Sequence, residues 1–156
     1  MKIQWKTPLI AIAIPLAVGG LAALLTNDAM EGFAALKKPP LSPPAWLFPV
    51  VWTLLYTLMG IASYRIWVSV YSIEKRKSAL TAYAIQLVFN FFWSIIFFNL
   101  GEYLFAFVWL VALWVLIYLT KQRFARIDKI AAYLLVPYLV WVAFAGYLNL
   151  GIFILN

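Results

Sequence analysis

Apolar residues run along this chain in long blocks, without the alternation of a strand or the single stripe of a soluble helix. Five stretches carry no charge: Pro8–Leu25, Ala45–Tyr64, Ser78–Gly101, Tyr103–Thr120 and Ile130–Asn156. A helix crossing a hydrocarbon core roughly 30 Å thick needs about 20 such residues, and each block is of that order. Barrel strands would alternate over only about 10 residues, a pattern missing here. Helices also satisfy their backbone hydrogen bonds internally, as lipid demands. The pattern predicts an all-α membrane protein, one domain over 1–156, with helices near 7–26, 44–70, 78–100, 103–122 and 129–155. The first apolar run follows Lys2 and Lys6 but exceeds the roughly 7–15 residues of a signal-peptide core, which favours a retained helix.

One connection is long. Thr26–Pro44 contains Pro39, Pro40, Pro43 and Pro44, which fix φ and rule out continuous helix. The expectation is a stiff proline-rich loop between helices one and two, folded over the bundle as a lid. In the fifth span, Pro137 removes a backbone donor and should bend the helix one turn before Trp141.

Composition narrows the solvent and the chemistry. The chain is 67% hydrophobic and 11% charged, against roughly 45–50% apolar and 25% charged in soluble domains. Without Cys or His, disulfides, thiolate metal sites, His-based catalysis and His-ligated haem are excluded, and no metal site is expected. The net charge of +7 is gathered in short clusters between spans, which argues for membrane orientation and against nucleic acid. Lys2, Lys6, Lys75, Arg76, Lys77, Lys121, Arg123, Arg126 and Lys129 share one side of a five-span topology, and Arg65 can snorkel toward it. Only Lys37 and Lys38 fall on the other. The positive-inside rule then predicts a cytoplasmic N-terminus and an external C-terminus, with the lipid bilayer as the constant partner.

Polar and aromatic residues within the spans are the candidate chemistry. Gln86, Asn90 and Ser94 follow one another at i+4 on a single face, and Asn149 lies in the fifth span; such groups either glue helices together or orient a ligand. Phe48, Trp52 and Tyr56 share a face of the second span, as do Tyr138, Trp141, Ala145 and Asn149 of the fifth. Trp5, Trp46 and Trp67 lie near span ends, where interfacial anchors belong. Trp52 and Trp141 lie deeper and need partners for their indole N–H groups; Trp93, Trp109 and Trp114 fit either core or lipid-facing roles. Gly19, Gly20, Ala22 and Ala23 permit close helix approach or dimerisation.

Three segments, ALKKPPLSPPAWLFPVVWTLLYTLMGIA (Ala35–Ala62), QLVFNFFWSIIFF (Gln86–Phe98) and LLVPYLVWVAFAGYLNLGIFILN (Leu134–Asn156), resemble the TspO/MBR family, the translocator proteins also called tryptophan-rich sensory proteins. Their order and spacing match, and five spans fit the whole chain. The resemblance implies a five-helix bundle with a lid loop, commonly a homodimer, in a bacterial cell membrane. It also implies binding of porphyrins and related tetrapyrroles, with sterols and benzodiazepine- or isoquinoline-type ligands known in the family. It places Trp52, Trp141, Asn90 and Ala145 in the pocket, with Tyr56, Trp93 and Ser94 beside them. Phe33 follows Gly32 where the family usually has an aromatic pair, and Leu41 replaces a usual Trp, which thins the pocket's aromatic ceiling. The animal members' C-terminal sterol motif is absent, because no Lys or Arg follows Tyr147.

The candidate ligand-contacting set is therefore Phe33, Phe48, Trp52, Tyr56, Asn90, Trp93, Ser94, Tyr138, Trp141 and Ala145. No cofactor is required; a porphyrin is the expected ligand. A macrocycle can stack on Trp52 and Trp141 while its edge meets Asn90 or Ser94. With only Tyr, Met30 and Met59 as axial candidates, metal-free porphyrin is expected over haem. Lys37 and Lys38 are candidates to meet propionates at the mouth. A receptor or sensor is the first reading. The alternatives are a light- and oxygen-dependent porphyrin-degrading enzyme using Trp52 and Trp141, and a tetrapyrrole or sterol transporter, for which no intramembrane charge marks a coupling-ion path.

Overall fold

A computed structural model describes residues 5–156; Lys2, one of the orientation signals, lies outside them. Five helical stretches are long and apolar enough to cross a membrane. The first, α1 (Lys6–Thr26), runs through a 3₁₀ turn (Asn27–Ala29) into a short α2 (Met30–Ala34). The second is α3 (Leu47–Trp67) and the third α4 (Ile73–Ser94), which continues as a π-helical segment over Ile95–Asn99. The fourth is α5 (Tyr103–Ala125), and the fifth is split into α6 (Lys129–Leu134) and α7 (Val136–Leu155).

The long connection is thus shorter than Thr26–Pro44 suggested, because helix persists to Ala34 and only the proline-rich remainder is irregular. At the other end, α4 begins inside the expected 71–77 loop. Ser72 accepts a hydrogen bond from the Lys75 amide at 3.4 Å, an N-cap that lets the basic run join the helix. Gly101, at φ +63°, ends the π-helical segment and turns the chain into α5.

Around the bundle the spans follow the order α1, α3, α6–α7, α5, α4, with α4 closing against α1. The α1–α3 seam is tight because it has no side chain at two points. A Cβ on Gly19 would enter the Tyr56 ring, and one on Gly60 would lie 2.5 Å from the Ile12 Cα. Gly19 therefore serves packing within the chain, whereas the space beside Gly20 is open. Tryptophans of α5 brace its seams with α4 and α7. Trp109 stacks on Phe89 and donates its indole N–H to the Phe89 carbonyl at 2.8 Å, and Trp114 donates to the Leu139 carbonyl at 3.0 Å. Trp5, Trp46 and Trp67 are exposed at helix ends, the positions of interfacial anchors.

The break at Leu135, two residues before Pro137, redirects the last span. Below it α6 lies against α3; above it α7 packs on α5, and close backbone packing against α3 is lost. Beyond that divergence aromatic residues of α3 and α7 meet.

Candidate functional site

The gap between α3 and α7 is bridged by rings. Trp52 stacks on Tyr56, with centroids 5.5 Å apart, and meets Tyr138 edge-on at 6.3 Å. One turn nearer the start of α3, Phe48 meets Trp141 edge-on at 5.9 Å. Spacing put Phe48, Trp52 and Tyr56 on one face and Tyr138 and Trp141 on another. The Leu135 break is what turns those two faces toward each other.

A chain of buried hydrogen bonds underlies the rings. The Tyr56 hydroxyl donates to Asn90 Oδ1 at 2.8 Å, Asn90 Nδ2 donates to the Tyr138 hydroxyl at 2.7 Å, and that hydroxyl donates to Gln86 Oε1 at 2.7 Å. Three spans are tied by four side chains, and no charge is involved. Ser94, on the same α4 face, is half-buried and takes no part.

The indole N–H of Trp141 departs from expectation. It is buried and, among the described residues, has no acceptor; the same holds for Gln86 Nε2. An orphaned buried donor costs about 1–3 kcal/mol, and lipid offers no water to relieve it. These two donors lie on α7 and α4, two of the three spans that carry the cluster.

Phe33 and Trp93 join a different group. Trp93 stacks on Phe97 at 5.2 Å and donates to Asn149 Oδ1 at 3.1 Å, while Asn149 Nδ2 donates to the Tyr103 carbonyl at 2.8 Å. Phe33 meets Phe97 and Phe98 edge-on at 5.9 and 5.2 Å. Beside this group lies a cavity of about 250 Å³, lined by Asp28, Gly32, Phe33, Phe97, Phe98 and Tyr103 among others. The sequence reading missed Phe97, Phe98 and Tyr103. Phe97 and Phe98 stand in an unbroken apolar run where periodicity says little, and the π-helical register of Ile95–Asn99 places them in a way no α-helical count anticipates; Tyr103 opens the next span. Ala145 is buried in the core of α7.

The proline-rich segment is clasped to the end of α7. Asn156 Nδ2 donates to the Lys37 carbonyl at 2.8 Å and its Oδ1 accepts from the Lys37 amide at 3.1 Å. The Tyr147 hydroxyl donates to the Pro40 carbonyl at 2.7 Å, and Pro39 is buried against Gly151, where a Cβ would lie 2.5 Å from the proline ring. Of the two lysines considered for propionates, Lys38 is committed. Its Nζ donates to the carbonyls of Phe33, Ala34 and Leu36 and lies 4.7 Å from the Phe33 ring centre. The Lys37 side chain is exposed. Leu41 is 83% exposed at φ +69°, so the position where a Trp is usual carries a strained turn residue.

Comparison with known proteins agrees with this architecture. The model of the TspO/MBR family matches residues 11–155. The tryptophan-rich protein TspO of Chlorobaculum tepidum is 41% identical over 157 aligned residues, covering 100% of this chain and 99% of that protein. The protein of the same name from Archaeoglobus fulgidus is 38% identical, covering 94% of each. The translocator protein of Bos taurus is 36% identical, covering 87% of this chain and 82% of its own. With five apolar spans in one bundle and a family match along nearly its whole length, the chain is an integral membrane protein that belongs to the TspO/MBR family.

Proposed function

We propose that this protein is a membrane receptor, or sensor, for porphyrins of the protoporphyrin IX type and related flat apolar ligands, which it holds between α3 and α7. The carrying observation is the meeting of Trp52, Tyr56, Tyr138, Trp141 and Phe48 around an uncharged polar chain, with the buried Trp141 indole N–H lacking an acceptor among the described residues. Rings held by side chains from two diverging helices can part to admit a planar π system, each aromatic contact contributing about 0.5–1.5 kcal/mol beyond burial. An acceptor at the ligand's edge would satisfy the Trp141 donor at no cost to another bond. In this reading the Lys37–Pro40 segment, pinned by Asn156 and Tyr147, is the lid over the external end, and the basic end faces the cytoplasm. One relative carries the name tryptophan-rich sensory protein, that of Cereibacter sphaeroides, which accords with a sensor.

The test is titration of the purified protein with protoporphyrin IX in the dark, following tryptophan quenching and the porphyrin absorption band. Saturable binding that weakens roughly tenfold in Trp141→Phe supports the receptor; unaltered affinity in Trp52→Phe, Trp141→Phe and their double variant overturns it. Illumination in air, with a new porphyrin product that depends on Trp141, would instead assign an enzyme. Directional uptake into proteoliposomes would assign a transporter.

A further inference from the structure

A second cavity, of about 340 Å³, lies at the basic end of the bundle, remote from the aromatic cluster in its residues and its chemistry. Tyr64, Arg65, Ser69 and Tyr71 wall it from the end of α3 and the turn that follows; Ile127 and Asp128 wall it from the turn before α6.

Arg65 is tethered there by one ion pair, with its side chain partly exposed. Its Nε donates to Asp128 Oδ2 at 2.8 Å. The other oxygen, Asp128 Oδ1, accepts from the Ile130 and Ala131 amides at 2.9 and 3.3 Å and so caps α6. A carboxylate fixed by two backbone donors fixes the guanidinium in turn. Among the described residues neither Nη of Arg65 has an acceptor. One turn further along, Ser69 Oγ is buried and also lacks a partner among the described residues. The guanidinium and the hydroxyl both line the one cavity, and guanidinium geometry matches phosphate oxygens.

The surroundings point to an amphiphile. Loops facing water are ordinarily polar, yet Trp67, Val68, Tyr71 and Ile73 are exposed here and Val70 is 99% exposed. Arg76 staples this loop by donating to the Trp67 and Tyr71 carbonyls at 2.7 and 3.0 Å, and Lys75 Nζ lies 5.6 Å from the Tyr71 ring centre. Apolar side chains flanked by Lys and Arg suit the boundary between acyl chains and anionic headgroups. Because Asp128 offsets the charge of Arg65, the flanking cations supply the net attraction and Arg65 with Ser69 the geometry.

We propose that this cavity is a phosphate-ester site, with the Arg65 Nη groups and the Ser69 hydroxyl as donors and the exposed Trp67–Ile73 loop as the seat for the apolar part of the molecule. The test is native mass spectrometry of the delipidated protein with dioleoyl phosphatidylglycerol, against dioleoylglycerol, which lacks the phosphate. The phospholipid should be retained at least tenfold better than the diglyceride, and roughly threefold less well by Ser69→Ala. Ser69→Leu, which removes the hydroxyl and narrows the cavity, should lower retention about tenfold. Both variants leave the Arg65–Asp128 pair intact, so they remain informative if Arg65→Gln fails to fold. Excess inorganic phosphate distinguishes the source: displacement of the lipid makes free phosphate a competent ligand, and no displacement assigns the headgroup. Equal retention of phospholipid and diglyceride, or of phospholipid by wild type and Ser69→Leu, overturns the proposal.

Discussion

Asn90 donates its side-chain amide to the Tyr138 hydroxyl at 2.7 Å, joining α4 to the span that the Leu135 break redirects. The same amide accepts from Tyr56 through its oxygen, so one residue near the C-terminal end of α4 ties the two aromatic faces together. Removing it leaves two buried hydroxyls short of a partner. Asn90→Leu should destabilise the detergent-solubilised protein by about 1–3 kcal/mol. The loss should shrink in a Tyr56→Phe, Tyr138→Phe background, where no hydroxyl is orphaned. Equal losses in the two backgrounds, read from thermal melts, would assign the effect to packing alone.

Gly19 and Gly20 are neighbours with opposite surroundings. Gly19→Ala forces a methyl against the Tyr56 ring and should cost about 1–3 kcal/mol, with a disturbed near-ultraviolet signal from the Trp52–Tyr56 stack. Gly20→Ala meets nothing and should be neutral or stabilise the helix by roughly 0.5–1 kcal/mol. Matching melting temperatures for the two variants would show that the α1–α3 seam is looser than described.

The clasp on the proline-rich segment should be separable from the bundle. Gly151→Ala introduces a methyl 2.5 Å from the Pro39 ring, and Asn156→Ala removes both hydrogen bonds to the Lys37 backbone. Each variant should raise amide exchange at Lys37 severalfold while leaving α4 and α5 protected, as expected when a segment opens independently of the core. Unchanged exchange in both would mean that other contacts hold the segment.

Acid should release the Arg65–Asp128 tie. Burial alone would raise the Asp128 carboxyl. Hydrogen bonds from Arg65 and from the Ala131 and Ile130 amides, with the Arg65 charge, outweigh it and hold the group below the ordinary carboxylate range. A depressed folded-state pKa contributes stability above the unfolded-state value of about 4, and that stability is lost as pH falls through the folded-state value. The melting temperature should therefore hold from neutral pH to about 5 and fall below about 4. Asp128→Asn should lower it at neutral pH and flatten part of the acid decline, the effect being modest because Arg65 is partly exposed. An acid profile identical to wild type would remove Asp128 from the account.

Much of the site was present as one-dimensional pattern. The faces carrying Trp52 with Tyr56, Tyr138 with Trp141, and Gln86 with Asn90 follow from helical spacing, and the bend before Trp141 follows from Pro137. Their partners did not. Spacing allowed Asn90 to be helix glue or a ligand contact, and gave no sign of the two tyrosines from other spans that bond to it. Trp93 counts as a neighbour of Asn90 along α4, yet it turns to Asn149 and Phe97 in a separate group.

Membrane insertion acts on each residue's transfer from water to lipid, so length and apolarity of the runs were enough to specify five spans, their approximate limits and the basic end. Contacts between spans depend on rotation and vertical offset, which no hydropathy pattern encodes. The π-helical turn at Ile95–Asn99, the reach of Asn156 back to Lys37, and the pairing of Arg65 with Asp128 were settled only when the helices packed. The last two rest on atoms far apart in the chain meeting within about 3 Å, a condition that depends on how the whole bundle is arranged.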